Sequence, residues 1–199
     1  MAAAAGLQMA HLILVKHAMP QLEPDVPSRE WRLSDAGREG ATILAGRLAP
    51  YAPGVIVAST EPKATETAQI AAAQLGTTMT TRDGLQENDR TGLGWLSTAE
   101  LEARIARFFA EPGTLVMGHE TADQAHARFA AAVDAICAMH PDETVVIVAH
   151  GTVITLYVSR ATGIEPFPFW KRLGLPSFVV LSRPDPHIEA VMENIRADT

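Results

Sequence analysis

Two runs of aliphatic residues dominate the hydrophobic pattern: Leu12-Ile13-Leu14-Val15, closed by Lys16-His17, and Val145-Val146-Ile147-Val148-Ala149, closed by His150. Continuous apolar runs of this length, bounded by polar residues, mark strands buried on both faces, as in parallel sheets. A shorter run, Val55-Ile56-Val57-Ala58, ends on Ser59. In open α/β sheets ligands sit beyond the carboxyl ends of the strands, so His17 and His150 are expected to face one crevice.

Between the runs, apolar positions recur at helical spacing. Ser34 is placed to cap a helix carrying Ala36, Gly40, Ile43, Leu44 and Leu48, with Pro50 and Pro53 ending it. Residues 61–75 are alanine-rich, with Pro62 suited to a first turn and Gly76 to a stop. Residues 97–109 place Leu101, Ile105 and Phe108 or Phe109 on one face, and Thr121 opens a helix striped by Ala125, Phe129, Ala132, Val133 and Ile136. Residues 152–162 are apolar nearly all round, which predicts a buried helix. Residues 77–81, 177–181 and 187–192 read as short strands. Residues 19–32 read as a loop over the crevice, 83–97 as irregular, and 166–170 as an aromatic-rich turn suited to an interface. The alternation predicts an α/β fold, a three-layer sandwich around a mostly parallel mixed sheet.

Composition narrows the function. A chain of 199 residues with 47% hydrophobic content supports a single domain, expected over residues 10–199 behind an alanine-rich extension at 1–9. A formal net charge of -7 argues against nucleic acid and anionic membranes as partners, so positive charge for an anionic ligand must be local. The single cysteine, Cys137, rules out an internal disulfide and points to a cytoplasmic setting. The opening residues lack a cationic region before a hydrophobic stretch, and no run reaches membrane-spanning length. Monomer and homodimer stay equally open.

The chemistry-bearing residues converge on the strand ends. Lys16 and His17 follow the first strand, Ser59 and Lys63 the second, His150 the last long one, and Glu87 lies past the short strand. Two imidazoles, two ammonium groups and a carboxylate suit phosphoryl transfer: an imidazole attacks phosphorus, cations hold the oxygens, and an acid protonates the departing oxygen. Of the remaining histidines, His11, His126 and His140 have no partner at metal-ligand spacing, and neither a metal nor another cofactor is expected. Gly92-Leu93-Gly94 lacks the strand and third glycine of a dinucleotide fingerprint, and Ser59 lacks the Gly-x-Ser-x-Gly of a hydrolase nucleophile.

These motifs, in this order, resemble the histidine phosphatase (phosphoglycerate mutase-like) superfamily. Leu14-Val15-Lys16-His17-Ala18 is similar to its Arg-His-Gly signature, and the stretch from Ala58 to Ala68 to its second motif of Ser, a basic residue, Ala and Thr-Ala. Trp31 to Arg38 matches the entry to its first helix, Leu85-Gln86-Glu87 its acid-bearing loop, and Val148-Ala149-His150-Gly151 its second histidine. The resemblance implies a phosphoglycerate mutase-like fold, a nucleophilic His17 that becomes phosphohistidine, and His150 against the transferring group. It also implies Lys16 and Lys63 on phosphate, Ser59 holding the second motif in place or donating to phosphate, and Glu87 as proton donor; from the residues alone, Asp89 and Glu120 are alternative sources of the proton.

Both arginines of the family pattern are lysine here, and the glycine after the nucleophile is Ala18. Lysine keeps the charge but lacks the planar fork that grips two oxygens at once. The expected function is therefore a phosphomonoester hydrolase acting on a phosphorylated small molecule, weakened by the lysines. The alternative is a phosphate-binding or regulatory pseudo-phosphatase, and a phosphomutase ranks behind both.

Overall fold

A computed structural model describes residues 10–196; the extension expected at 1–9 lies outside the described residues. Among those described, six strands form one sheet: β1 (His11–Lys16), β2 (Val55–Ala58), β3 (Met79–Thr81), β4 (Val145–Ala149), β5 (Ser177–Ser182) and β6 (Ile188–Met192). Their order is β3-β2-β4-β1-β5-β6. The first four run parallel to one another, and β5 and β6 add antiparallel strands at one edge. The sheet is thus mixed and mostly parallel, as the continuous apolar runs imply: every residue of β2 and β4 is buried.

Helices cover both faces. On one side lie α1 (Asp35–Leu48) and α2 (Pro62–Leu75). Leu44, Leu48, Ala64, Ala68 and Ala71 from these helices pack on Ile13, Val15, Ile56 and Val146. On the other lie α3 (Thr98–Ala110), α4 (Ala122–Met139), α5 (Gly151–Thr162) and α6 (Pro166–Arg172). There Phe108, Phe129, Ile154 and Phe169 pack on Leu12, Leu14, Val57 and Ile147. Alternate residues of each strand therefore feed opposite cores, the period-2 consequence of a strand buried on both faces.

The helix starts follow local chemistry. Ser34 accepts a hydrogen bond from the Gly37 N–H, while Ser97 and Thr121 each form a reciprocal capping box with Glu100 and Gln124. Pro62 occupies the first position of α2, and Gly76 ends it at φ 64°. Residues 166–170, read from sequence as a turn, instead belong to the short helix α6. Pro166 starts it at a position where a missing N–H costs nothing, and Phe169 is buried against the core.

Candidate active site

Sheet register places the two histidines. Strands β1 and β4 pair in parallel with Lys16 opposite Ala149, so His17 and His150 leave the sheet at the same level. The His17 N–H donates to the Ala149 carbonyl at 3.1 Å, which fixes the exit of β1. Strand β2 pairs with β4 with Ala58 opposite Val148, and the Ser59 N–H donates to Val148 O at 2.9 Å. Three chain segments thereby arrive at one edge.

The rings of His17 and His150 meet edge-on, with centroids 5.2 Å apart and planes at 62°. His17 is 7% exposed and His150 fully buried. His17 Nδ1 lies 2.8 Å from the Ala18 carbonyl. A carbonyl can only accept, so this contact puts the proton on Nδ1 and leaves Nε2 with a free lone pair. Burial, then His150, then Lys63 push the His17 pKa well below its ordinary value. Burial and Lys63 do the same for His150, against the opposing pull of Glu87. Both rings are neutral at physiological pH, the form a nucleophile needs.

The alanine after His17 is accommodated. Ala18 is fully buried, and its N–H donates to Thr67 Oγ1 at 3.1 Å. Thr67 in turn donates to the Lys63 carbonyl at 2.7 Å, so the threonine of the second motif ties the end of β1 to α2. Ala52 is the only non-glycine with positive φ among the described residues, so Ala18 needs no glycine conformation.

The two lysines differ in their surroundings. Lys16 turns toward the end of α6: its Nζ donates to Leu173 O at 2.6 Å and lies 6.0 Å from the Trp170 ring centroid. A Cβ at Gly151 would approach Lys16 Cε to 3.1 Å and Nζ to 3.3 Å, so the glycine after His150 makes room for the ammonium. Burial brings the Lys16 pKa down to about 8, with Glu87 opposing and Arg90 assisting. Lys63 is buried and donates at 2.6 Å both to Ser28 O, in the loop over the crevice, and to Glu61 Oε2.

Ser59 Oγ lies 2.9 Å from His150 Nε2 and accepts the Glu61 N–H at 3.3 Å. Glu87 is held as a carboxylate at the start of α5. Its oxygens accept the N–H groups of Asn88 (3.0 Å), Thr152 (3.3 Å) and Val153 (3.3 Å) and the Arg90 guanidinium (3.2 Å). Burial raises its pKa, but Arg90, His150 and the Asn88 N–H outweigh it, and the net shift is downward. The alternative acids are also engaged. Asp89 contacts His119 Nδ1 at 2.7 Å and accepts the Thr91 N–H at 2.8 Å. Desolvation raises the Asp89 pKa, but the bonds from Thr91 and His119 outweigh it and bring the value down to about 2. Glu120 pairs with Arg128 at 2.7 Å.

Three residues of this cluster lie outside the set read from sequence. Glu61 joins the others directly: Oε2 accepts from Lys63, Oε1 accepts the Glu87 N–H at 2.8 Å, and Oε1 stands 3.5 Å from His150 Nε2. Arg90 places a guanidinium on Glu87, Asn88 and Thr152. Arg128 reaches from α4 to the carbonyls of Gly84, Gln86 and Glu87, and so pins the acid-bearing loop. A carboxylate set between Ser59 and Lys63, in a segment expected from sequence to bind phosphate, is a legible signal for Glu61. Arg90, a cation in an unpatterned loop, and Arg128, distant in sequence, carry none.

A cavity of about 1000 Å³ opens beside the cluster. Glu61, Glu87 and Arg90 line its inner side, and Trp31, Trp95 and Leu101 contribute apolar wall; neither imidazole belongs to the lining. No group of three or more His, Cys, Asp or Glu suited to a metal occurs among the described residues. Among them, too, no helix is long and apolar enough to cross a membrane.

A six-stranded mixed sheet with helices on both faces and paired histidines past two parallel strands defines a phosphoglycerate mutase-like α/β protein. The histidine phosphatase superfamily (branch 1) matches residues 12–195, and the chain belongs to that superfamily. Solved structures agree on the fold. A mycobacterial glucosyl-3-phosphoglycerate phosphatase complexed with VO3 is 20% identical, with TM-score 0.73 over 91% of this chain and 98% of that one. An Entamoeba histolytica phosphoserine phosphatase complexed with 3-phosphoglyceric acid is 18% identical, with TM-score 0.71 over 92% and 97%. Bacillus stearothermophilus YhfR is 21% identical, with TM-score 0.74 over 94% and 98%. No curated protein matches the sequence.

Proposed function

We propose that the protein is a phosphomonoester hydrolase that works through a phosphohistidine on His17. The observation that carries this reading is the His17 geometry: a neutral ring, pinned at Nδ1 by the Ala18 carbonyl, with Nε2 free and the second imidazole beside it. In the reaction, Nε2 attacks phosphorus and the phosphorus–oxygen bond to the alcohol breaks, with the leaving oxygen taking a proton from an acid. Water then attacks the phosphohistidine, releasing inorganic phosphate and restoring the ring.

His150 and the ammonium groups of Lys16 and Lys63, which stand where the family pattern has arginines, stabilise charge on the phosphoryl oxygens. Ser59 contributes a hydroxyl beside His150. Glu87 serves as the acid, and a bound dianion favours its protonation by raising its pKa through like-charge repulsion. Arg90 supplies a guanidinium at this site despite the lysines. Two of the structural neighbours are named as phosphatases, which supports the reaction class, and a phosphorylated small molecule is the substrate class that follows.

The test is phosphate release from a chromogenic aryl phosphate in the presence of chelator, together with trapping of an acid-labile, base-stable phosphoenzyme. His17→Ala is expected to abolish both. Undiminished turnover by that variant removes His17 from the role.

A second reading, a phosphate-binding module with little turnover, draws on one observation: Lys63 is already engaged by Ser28 O and Glu61, and Lys16 by Leu173 O. Phosphate binding without a trappable phosphoenzyme would favour it.

A further inference from the structure

The residue that least fits a phosphate pocket is Glu61. It is 7% exposed, and its carboxylate sits among the groups that would otherwise hold a phosphoryl oxygen. Lys63 Nζ, 5% exposed as a residue, spends its contacts on Glu61 Oε2 and the Ser28 carbonyl. Glu61 Oε1 faces His150 Nε2 at 3.5 Å and accepts the Glu87 N–H. Glu61 also lines the cavity, whereas Lys63, His17 and His150 do not. The carboxylate therefore stands at the boundary between the open cavity and the buried cation and imidazoles, carrying the charge type that a phosphoryl group would bring.

We propose that the Glu61 carboxylate is an internal occupant of the phosphoryl position, a specificity-determining residue that a substrate must displace from Lys63 and His150. This rests on the reading of the pocket as a phosphoryl site. Two negative groups cannot share one buried ammonium without strong repulsion. Inorganic phosphate offers nothing but charge to compete with Glu61. A phosphate ester whose organic part fills the cavity gains additional contacts, and those contacts are what displace the carboxylate. The site consequently discriminates between ester and free phosphate, and is protected from its own product.

The experiment is a titration of the protein with inorganic phosphate, followed by calorimetry, for the wild type, Glu61→Gln and Glu61→Ala. Glutamine keeps the shape and removes the charge, so Glu61→Gln is expected to bind phosphate about tenfold tighter or more, the scale of one buried like-charge repulsion. Glu61→Ala, which empties the position altogether, must move the affinity in the same direction and covers the case in which Glu61→Gln does not fold. Adding Lys63→Met to either variant must cancel the gain, because the freed ammonium is its source. Unchanged or weaker phosphate binding in the folded variants overturns the proposal, as does a gain that survives Lys63→Met. The readout is independent of turnover. Tighter phosphate binding with no phosphoenzyme would end the hydrolase reading while leaving Glu61 in this role.

Discussion

The imidazoles of His17 and His150 share one buried space, edge-on at 5.2 Å, although they come from distant parts of the chain. Two rings this close and this buried do not both accept protons readily. Burial, and then neighbouring positive charge, holds both well below the ordinary value of 6.5.

Stability should therefore depend on pH in a definite direction. As pH falls through 6.5 the unfolded chain takes up protons on these histidines and the folded chain does not, so their contribution is full above that pH and is lost below it, down to the depressed folded values. The slope is about 1.4 kcal/mol per pH unit for each imidazole. Thermal melting between pH 7 and pH 5 is expected to show a falling Tm, with a shallower fall in His17→Asn. A Tm that does not change over this range would contradict the buried neutral pair.

Lys16 gives a second pH dependence, this time in activity. With its pKa brought down to about 8, chiefly by burial, the ammonium is lost as pH rises through that value. The kcat/KM for an aryl phosphate is expected to fall above pH 8 in the wild type. Lys16→Arg, whose guanidinium stays charged, should remove that fall. An identical alkaline limb in both proteins would mean that Lys16 is not the cation that matters.

The legible part of this protein is the part built by local pattern. The aliphatic runs of β1 and β4 announce buried parallel strands, and Ser34, Pro62, Gly76, Ser97 and Thr121 mark helix ends by chemistry that acts within a few residues. Strand register then brings His17, Ser59 and His150 together without further information. What the pattern does not disclose is long-range polar partnership. Arg128 reaches three carbonyls of the 84–87 loop from a helix well down the chain, and Lys16 turns to Leu173, and neither choice has a periodic signature. Residues 166–172 form a helix because Phe169 gains burial against the core, a tertiary gain without a periodic signature, while Pro166 and Pro168 fall in the first turn, where a missing N–H breaks no helical bond.

Glu87 should contribute to stability. Its carboxylate satisfies the N–H groups of Thr152 and Val153 in the first turn of α5, which would otherwise be unpaired near the positive end of the helix. Glu87→Ala is expected to cost about 1 to 3 kcal/mol in urea unfolding, the range for losing a charged cap in a buried setting. A loss below about 0.5 kcal/mol, the level of an ordinary surface change, would show that the cap is unimportant.

The apolar wall of the cavity makes a prediction about substrate preference. Trp31 and Trp95 lie with ring centroids 6.2 Å apart, and Trp31 Nε1 is anchored by donation to Val26 O at 2.9 Å and Glu23 O at 3.1 Å. Trp95 is 56% exposed, so it can be truncated with little effect on the fold. A flat organic group entering the cavity would stack against this pair, and an aromatic contact is worth about 0.5 to 1.5 kcal/mol beyond its buried area. Trp95→Ala is therefore expected to lower kcat/KM for naphthyl phosphate by roughly twofold to tenfold, the rate equivalent of that energy. Glycerol phosphate, which has no flat group to stack on the wall, should be hydrolysed at the wild-type rate. Equal losses for both substrates would place the effect of Trp95 in the folding of the loop instead of in recognition of the leaving group.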